Sequence, residues 1–237
     1  MSMVKADDPP FFMTNKQGKT IGVDTYLSKL LASELEVGIK ILRTANTYDD
    51  VIDQVEKGEA DLGVSDLSIT LKRAQKVNYS DQYISIKKSI LLNYKLFSEL
   101  KKSDTDSLRT FFRAGHKIGV VRGTSYVHFA KDEFPHAEIV LYDDWDSLLK
   151  ALSQETISAA FYDQFSVQQV IFSSHYNPFL YQAIDLSVPT DKVAIAVPKT
   201  DLNFLNWINI FLKIRFKQLT IKNLLKIYNT YELRNKV

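Results

Sequence analysis

The sequence contains no cysteine among its 237 residues. That excludes disulfides, thiolate nucleophiles and thiolate metal sites, and it is compatible with an oxidising compartment. Charge of one sign is also scarce. Thirty basic residues stand against 28 acidic ones, and the net charge of +2 supplies no field to attract nucleic acid or anionic lipid. No nucleic-acid partner is expected. Long hydrophobic runs are missing too, since no window reaches the roughly 18 apolar residues of a membrane span. The late stretch LNFLNWINIFLKIRF is interrupted by Asn203, Asn206, Asn209 and Lys213 and reads as an amphipathic packing helix. The four histidines, His116, His128, His136 and His175, never fall at i, i+4 around a glutamate, and YDDWD lacks the spacing and glycine of a calcium loop, so no metal or cofactor is expected. The start, MSMVKADDPPFF, has neither the basic nor the apolar region of a signal peptide. Either the protein is cytosolic or a signal peptide has been removed from the chain.

What is present suits a globular protein with one large or two modest cores: 24% of residues are charged and 45% hydrophobic. Helix and strand patterns alternate, which predicts an α/β protein with largely parallel sheets. Asp24 is placed to cap a helix whose Leu27, Leu30, Leu31 and Leu35 share one face. IKIL (39–42) reads as a strand, and YDDVIDQVEKG as a helix with Val51, Ile52 and Val55 inward and Gly58 at its end. The same order returns later: strand KIGVV (117–121), helix TSYVHFAKDEF, strand AEIVLY (137–142), helix WDSLLKALSQE and strand ISAAFY (157–162). Residues 48–66 overlay 145–163 without a gap; each copy opens on an aromatic followed by Asp and ends on Asp. A repeated helix–strand unit is one reading and chance likeness the other. Ile84 to Tyr94 reads as one long strand between the halves, and DKVAIAVPKTD as a strand leading back. Two lobes are expected, 1–92 with 189–237 and 93–188. Two crossings would leave a cleft at the strands' C-terminal ends, where ligands of open α/β sheets bind.

One stretch carries chemistry. In SDLSITLKRAQK a strand runs into Ser65, Asp66 and Ser68, and Thr70 can cap a short helix with Arg73 in its first turn. A guanidinium beside backbone N–H groups suits a carboxylate; an ion pair with an acid of the same chain is the alternative. GVVRGTSY lacks the lysine of a phosphate-binding loop, and Gly119 and Gly123 suit a tight strand-to-helix turn.

The stretch SDLSITLKRAQKVNYSDQY also resembles the signature of the type II periplasmic amino-acid-binding proteins, the bacterial extracellular solute-binding proteins of family 3. DPPFFMTNKQGKTIGVDTYLSKLLASEL is similar to that family's opening, KIGVVRGTSY to the start of its second lobe, and AAFYD to its late acidic position. The resemblance implies two Rossmann-like lobes on a two-strand hinge, a Venus-flytrap fold. It further implies that Arg73 clamps a ligand carboxylate with Ser68 and Thr124, that Asp163 takes the ligand's ammonium, and that Ser65 and Asp66 line the same end. Tyr48 and Phe11 would contact the ligand side chain, and Ser125 and Tyr126 would close over it. Asp66 stands where the family more often has a small residue, and Asp8 where it often has an aromatic. If both face the cleft, Asp8, Asp66 and Asp163 outweigh Arg73, which favours a cationic ligand such as arginine, lysine, ornithine or histidine. Alternatively Asp8 points to solvent and Asp66 accepts from the ligand's ammonium or a backbone amide. The expected role is capture of a free amino acid outside the cytoplasm, by hinge closure, for an ABC permease, by a monomer without catalysis. The alternatives are the sensor domain of a membrane receptor or kinase and a cyclohexadienyl-dehydratase-like enzyme with Asp66 and Asp163 as its acid and base.

Overall fold

The computed structural model describes residues 1–97, 105–113, 115–172, 180–186, 190–215, 223 and 226. It divides into two compact units, Met1–Ser85 with Lys192–Val237, and Ile86–Asp191. The first begins with β1 (Ser2–Val4), β2 (Met13–Thr14), β3 (Thr20–Ile21), α1 (Val23–Glu34), β4 (Leu42–Ala45), α2 (Tyr48–Glu56), α3 (Leu71–Ala74) and β5 (Val77–Tyr79). The chain leaves it along β6 (Ile84–Ile86). The second holds β7 (Lys88–Asn93), α4 (Tyr94–Phe97), α5 (Thr105–Arg113), β8 (Lys117–Val121), α6 (Tyr126–Glu133), β9 (Glu138–Tyr142), α7 (Trp145–Ser153), β10 (Ala159–Asp163), α8 (Gln164–Phe172) and β11 (Tyr181–Asp185). β12 (Asp191–Val193) returns to the first unit, which continues with β13 (Ala196–Pro198) and α9 (Leu202–Arg215). Both crossings are thus strands, and β6 and β12 pair with each other.

The second unit is one five-stranded sheet in the order β11-β7-β10-β8-β9. β10, β8 and β9 run parallel, while β7 is antiparallel to both neighbours. Because β7 is inside this sheet, the units divide before it, whereas the sequence placed the boundary after residue 92. The first unit repeats the pattern with one strand reduced to bridges. β1 pairs with β4 in parallel, β13 with β5 antiparallel, and Gly63 links the two pairs by bridging Ser2 and Ala196.

The helix–strand repeat is carried down to its caps. α2 and α7 are each nine residues long, and each begins with a reciprocal capping box, Thr47 with Asp50 and Asp144 with Ser147. Buried Val51, Ile52 and Val55 of α2 match buried Leu148, Leu149 and Leu152 of α7 at the same offset. Both helices are followed by a left-handed residue, Gly58 (φ 72°) and Glu155 (φ 57°).

Three local expectations shift. IKIL does not form the strand; β4 starts at Leu42, where β1 offers its ladder. Asp24 is not the cap of α1, which is Gly22, and lies inside the first turn with its side chain buried. The long strand from Ile84 breaks at Lys87, whose amide turns to the Gln164 side chain. Of the two glycines near residue 120, Gly123 is the turn residue (φ 74°). Gly119 is instead in β8, where a Cβ would stand 2.5 Å from Ile157 Cδ1.

Candidate functional site

In the first unit the candidate residues lie on the loop after β1, the start of α2 and the turn before α3. Thr70 caps α3 as expected, accepting from the Arg73 amide at 3.2 Å. Arg73 is only 5% exposed, and burial of a guanidinium requires partners. Its Nε donates to Asp49 Oδ1 at 2.9 Å, and one terminal nitrogen reaches the Ser68 carbonyl at 3.4 Å. The other terminal nitrogen has no hydrogen bond among the described residues. Asp49 is the same-chain acid of the alternative reading, and it occupies one edge of the guanidinium. Ser68 is buried, and its carbonyl also accepts from the Tyr79 hydroxyl. Ser65 is wholly buried, with its hydroxyl accepting from the Val4 amide. Phe11 is enclosed as well.

The two unexpected acids are oriented by bonds. Asp8 is half-buried and does not simply face solvent; its Oδ2 accepts from the Tyr48 hydroxyl at 2.6 Å. Asp66 has left-handed backbone (φ 46°), and its amide donates to Asp24 Oδ2 at 2.6 Å. Asp24 Oδ1 accepts from the Tyr83 hydroxyl at 2.7 Å. Enclosure raises the Asp24 pKa to about 7 despite these two bonds. Burial first, then the charges of Asp24, Asp66 and Asp8, push the Tyr83 phenol well above its ordinary value. One carboxylate, Asp24, is bonded to this tyrosine, and two further acids of the same unit act on it through their charge. Asp24 and Tyr83 escaped sequence reasoning because an acid at a helix start is ordinarily a capping or dipole residue.

In the second unit, Thr124, Ser125 and Tyr126 follow β8, and Asp163 ends the adjacent parallel strand β10, so all four lie at one sheet edge. The Asp163 side chain is buried and caps α8. Oδ1 accepts from the amides of Phe165 (2.7 Å) and Ser166 (2.9 Å), and Oδ2 from the Ser166 hydroxyl (2.6 Å). Burial raises its pKa, and those bonds oppose the rise. Lys88 stands opposite Asp163 in the β7–β10 ladder but donates to buried Glu133 at 2.7 Å. The Thr124 hydroxyl donates to the Val121 carbonyl, and Ser125 is the N-cap of α6, its side chain making no capping bond to the helix. Tyr126 is placed differently from the expectation. Its ring belongs to the unit's core, edge-on to Phe129 and Phe161 and 4.7 Å from the Tyr162 ring.

A cavity of about 420 Å³ in the first unit is lined by Leu31, Leu35, Val37, Ile39, Leu62 and Phe204 among others, and contains none of the candidate residues. Among the described residues no cluster could hold a metal, and no helix is long and apolar enough to cross a membrane.

The sequence matches the family of bacterial extracellular solute-binding proteins, family 3, over residues 2–231. The chain belongs to that family. Among curated family relatives, the ABC transporter arginine-binding protein 1 of Escherichia coli K12 is 24% identical over 193 residues, 80% of this chain and 70% of that protein. The histidine-binding periplasmic protein of Salmonella typhimurium is 26% identical over 162 residues, 68% of this chain and 58% of its own length. The chain thus spans between 58% and 70% of the length of these relatives. Solved structures give the fold. A protein described as the binding component of an ABC transporter from Wolinella succinogenes, complexed with lysine, aligns with a TM-score of 0.78 at 22% identity, covering 97% of this chain and 93% of that one. An ancestral amino-acid-binding protein, a precursor of cyclohexadienyl dehydratase, aligns at 0.76 and 24% identity with the same coverage. The solute-binding family and its two-lobe, Venus-flytrap fold account for strand crossings at β6 and β12.

Proposed function

We propose that this protein is an extracytoplasmic receptor that captures a free amino acid with a cationic side chain by hinge closure and delivers it to an ABC-type permease. The observation carrying the cationic preference is the acidic set of the first unit: Asp24 holds the Tyr83 hydroxyl and the Asp66 amide, and Asp8 holds the Tyr48 hydroxyl. Enclosed like charges are unfavourable unless a cation joins them or one takes a proton. Arg73, buried and with one terminal nitrogen unbonded among the described residues, is assigned the ligand carboxylate, with Ser68, Thr124 and Ser125 as further donors. Asp163 is assigned the ligand ammonium. Asp8 and Tyr48, joined at 2.6 Å, read the far end of the side chain, and Asp66 adds negative charge beside them. Ser65, Phe11 and Tyr126 support these groups from the core. Relatives named for arginine and histidine, and a structural neighbour holding lysine, agree with this ligand class.

A thermal-shift screen with the twenty amino acids and ornithine tests the reading. A ligand at 100 times its dissociation constant adds about 2.7 kcal/mol, a readily measured rise in Tm. The rise is expected with arginine, lysine or ornithine, and is lost in Arg73→Ala and Asp163→Asn. A rise only with neutral or acidic amino acids would reject the cationic preference, and silence across the panel would reject the receptor.

A further inference from the structure

Asp24 is outside the ligand-contacting set, yet its two carboxylate oxygens serve two segments of the first unit. Oδ1 holds the hydroxyl of Tyr83, the residue before β6, the first crossing strand. Oδ2 holds the amide of Asp66 in the left-handed turn that leads to Ser68. Non-glycine residues keep that backbone conformation where surrounding bonds over-determine it. The Asp24 backbone is anchored in turn, its amide donating to the Phe11 carbonyl and its own carbonyl accepting from the Ser28 hydroxyl.

We propose that Asp24 is a proton-controlled positioning residue: when ionised, it holds the Asp66 turn and the Tyr83 entry to the first crossing strand in one arrangement, and protonation loosens the Asp66 end. For the ligand it rests on the receptor reading above. The chemistry follows from donor inventories. An ionised carboxylate accepts from both donors, whereas a protonated one keeps a good acceptor on one oxygen only. The Tyr83 hydroxyl can rotate and accept the new proton; the Asp66 amide can only donate. Its bond then changes from charge-assisted to neutral, roughly halving in strength. The titratable residues bonded to Asp24 are Tyr83, through its hydroxyl, and Asp66, through its amide, while the charges of Asp66 and Asp8 act on Tyr83. No lysine or arginine among the described residues is bonded to it. With its pKa near 7, the carboxyl changes state between pH 6 and 8, while Tyr83, shifted upward, remains a donor.

The test uses the ligand-free full chain and then arginine, whose charge is constant in this window. Hydrogen-exchange protection factors for the 65–68 amides should rise several-fold from pH 6 to pH 8 in the wild type and stay flat at the lower level in Asp24→Asn. An asparagine reproduces the protonated pattern, accepting from Asp66 and donating to Tyr83. The arginine Kd should fall several-fold over the same interval in the wild type only. Tyr83→Phe, which removes a bond favouring ionisation, should move the midpoint of the protection change upward. Protection that ignores pH in the wild type would overturn the proposal. So would an Asp24→Asn protein that keeps the wild-type pH response, or, if that variant fails to fold, an unmoved midpoint in Tyr83→Phe. The expected protection changes without arginine, lysine or ornithine binding would leave Asp24 a positioning residue and reject the cationic preference.

Discussion

Asp24 and Asp163 are both enclosed carboxylates made weaker acids by burial, and each is held by donors from its own unit. For Asp24 the consequence for stability has a definite sign. Its folded pKa, about 7, lies above the ordinary aspartate value near 3.9, so its stabilising contribution is complete below pH ~4 and is lost as pH rises through 7. The non-ionising Asp24→Asn should therefore gain stability relative to the wild type between pH 4.5 and pH 8, by on the order of 3 kcal/mol. Urea denaturation at both pH values measures this, and parallel stabilities would count against a raised Asp24. Asp163 shifts in the same direction in both proteins and cancels. Stability given up at a site that positions ligand groups is a familiar exchange. At this scale the sequence was legible where partners are local. Thr70 caps Arg73's helix three residues away, whereas the burial of Asp24 depends on Tyr83, 59 positions along.

Elements were more legible than residues, because periodicity and caps are local signals. α2 and α7 carry the same box and the same inward triplet, so Thr47→Ala and Asp144→Ala should each cost about 1 kcal/mol. Chemical denaturation of the two variants checks the pair; an unchanged midpoint in either would mean that its cap contributes nothing. What the pattern could not show was the exchange of ladders among strands. KKSILLN looked continuous with ISI, yet β7 joins the second unit's sheet while β6 pairs with β12. At the start of β7, Lys88 is enclosed with Glu133, which Arg109 also reaches at 3.1 Å. Glu133→Ala would strand a buried ammonium, and a loss of about 3–5 kcal/mol is expected. A loss below 1 kcal/mol would mean that Lys88 finds water or another acid.

For the whole molecule, two strand crossings between compact units are the hardware of hinge closure. Small-angle scattering should therefore show a smaller radius of gyration on adding arginine, lysine or ornithine to the wild type and no change in Arg73→Ala. Scattering unchanged by a ligand that raises Tm would reject closure while leaving binding intact. The alternation of helix and strand, the duplicated unit, the Thr70 cap and the family signature around Arg73 were determined by the sequence alone, since each depends on residues within a few turns of one another. Tertiary structure decided which carboxylates are enclosed and which unit takes β7. It also turned Tyr126 into a core ring and gave Arg73 its partner Asp49. Those outcomes depend on contacts between distant segments, where register and burial choose among partners that local chemistry leaves equivalent.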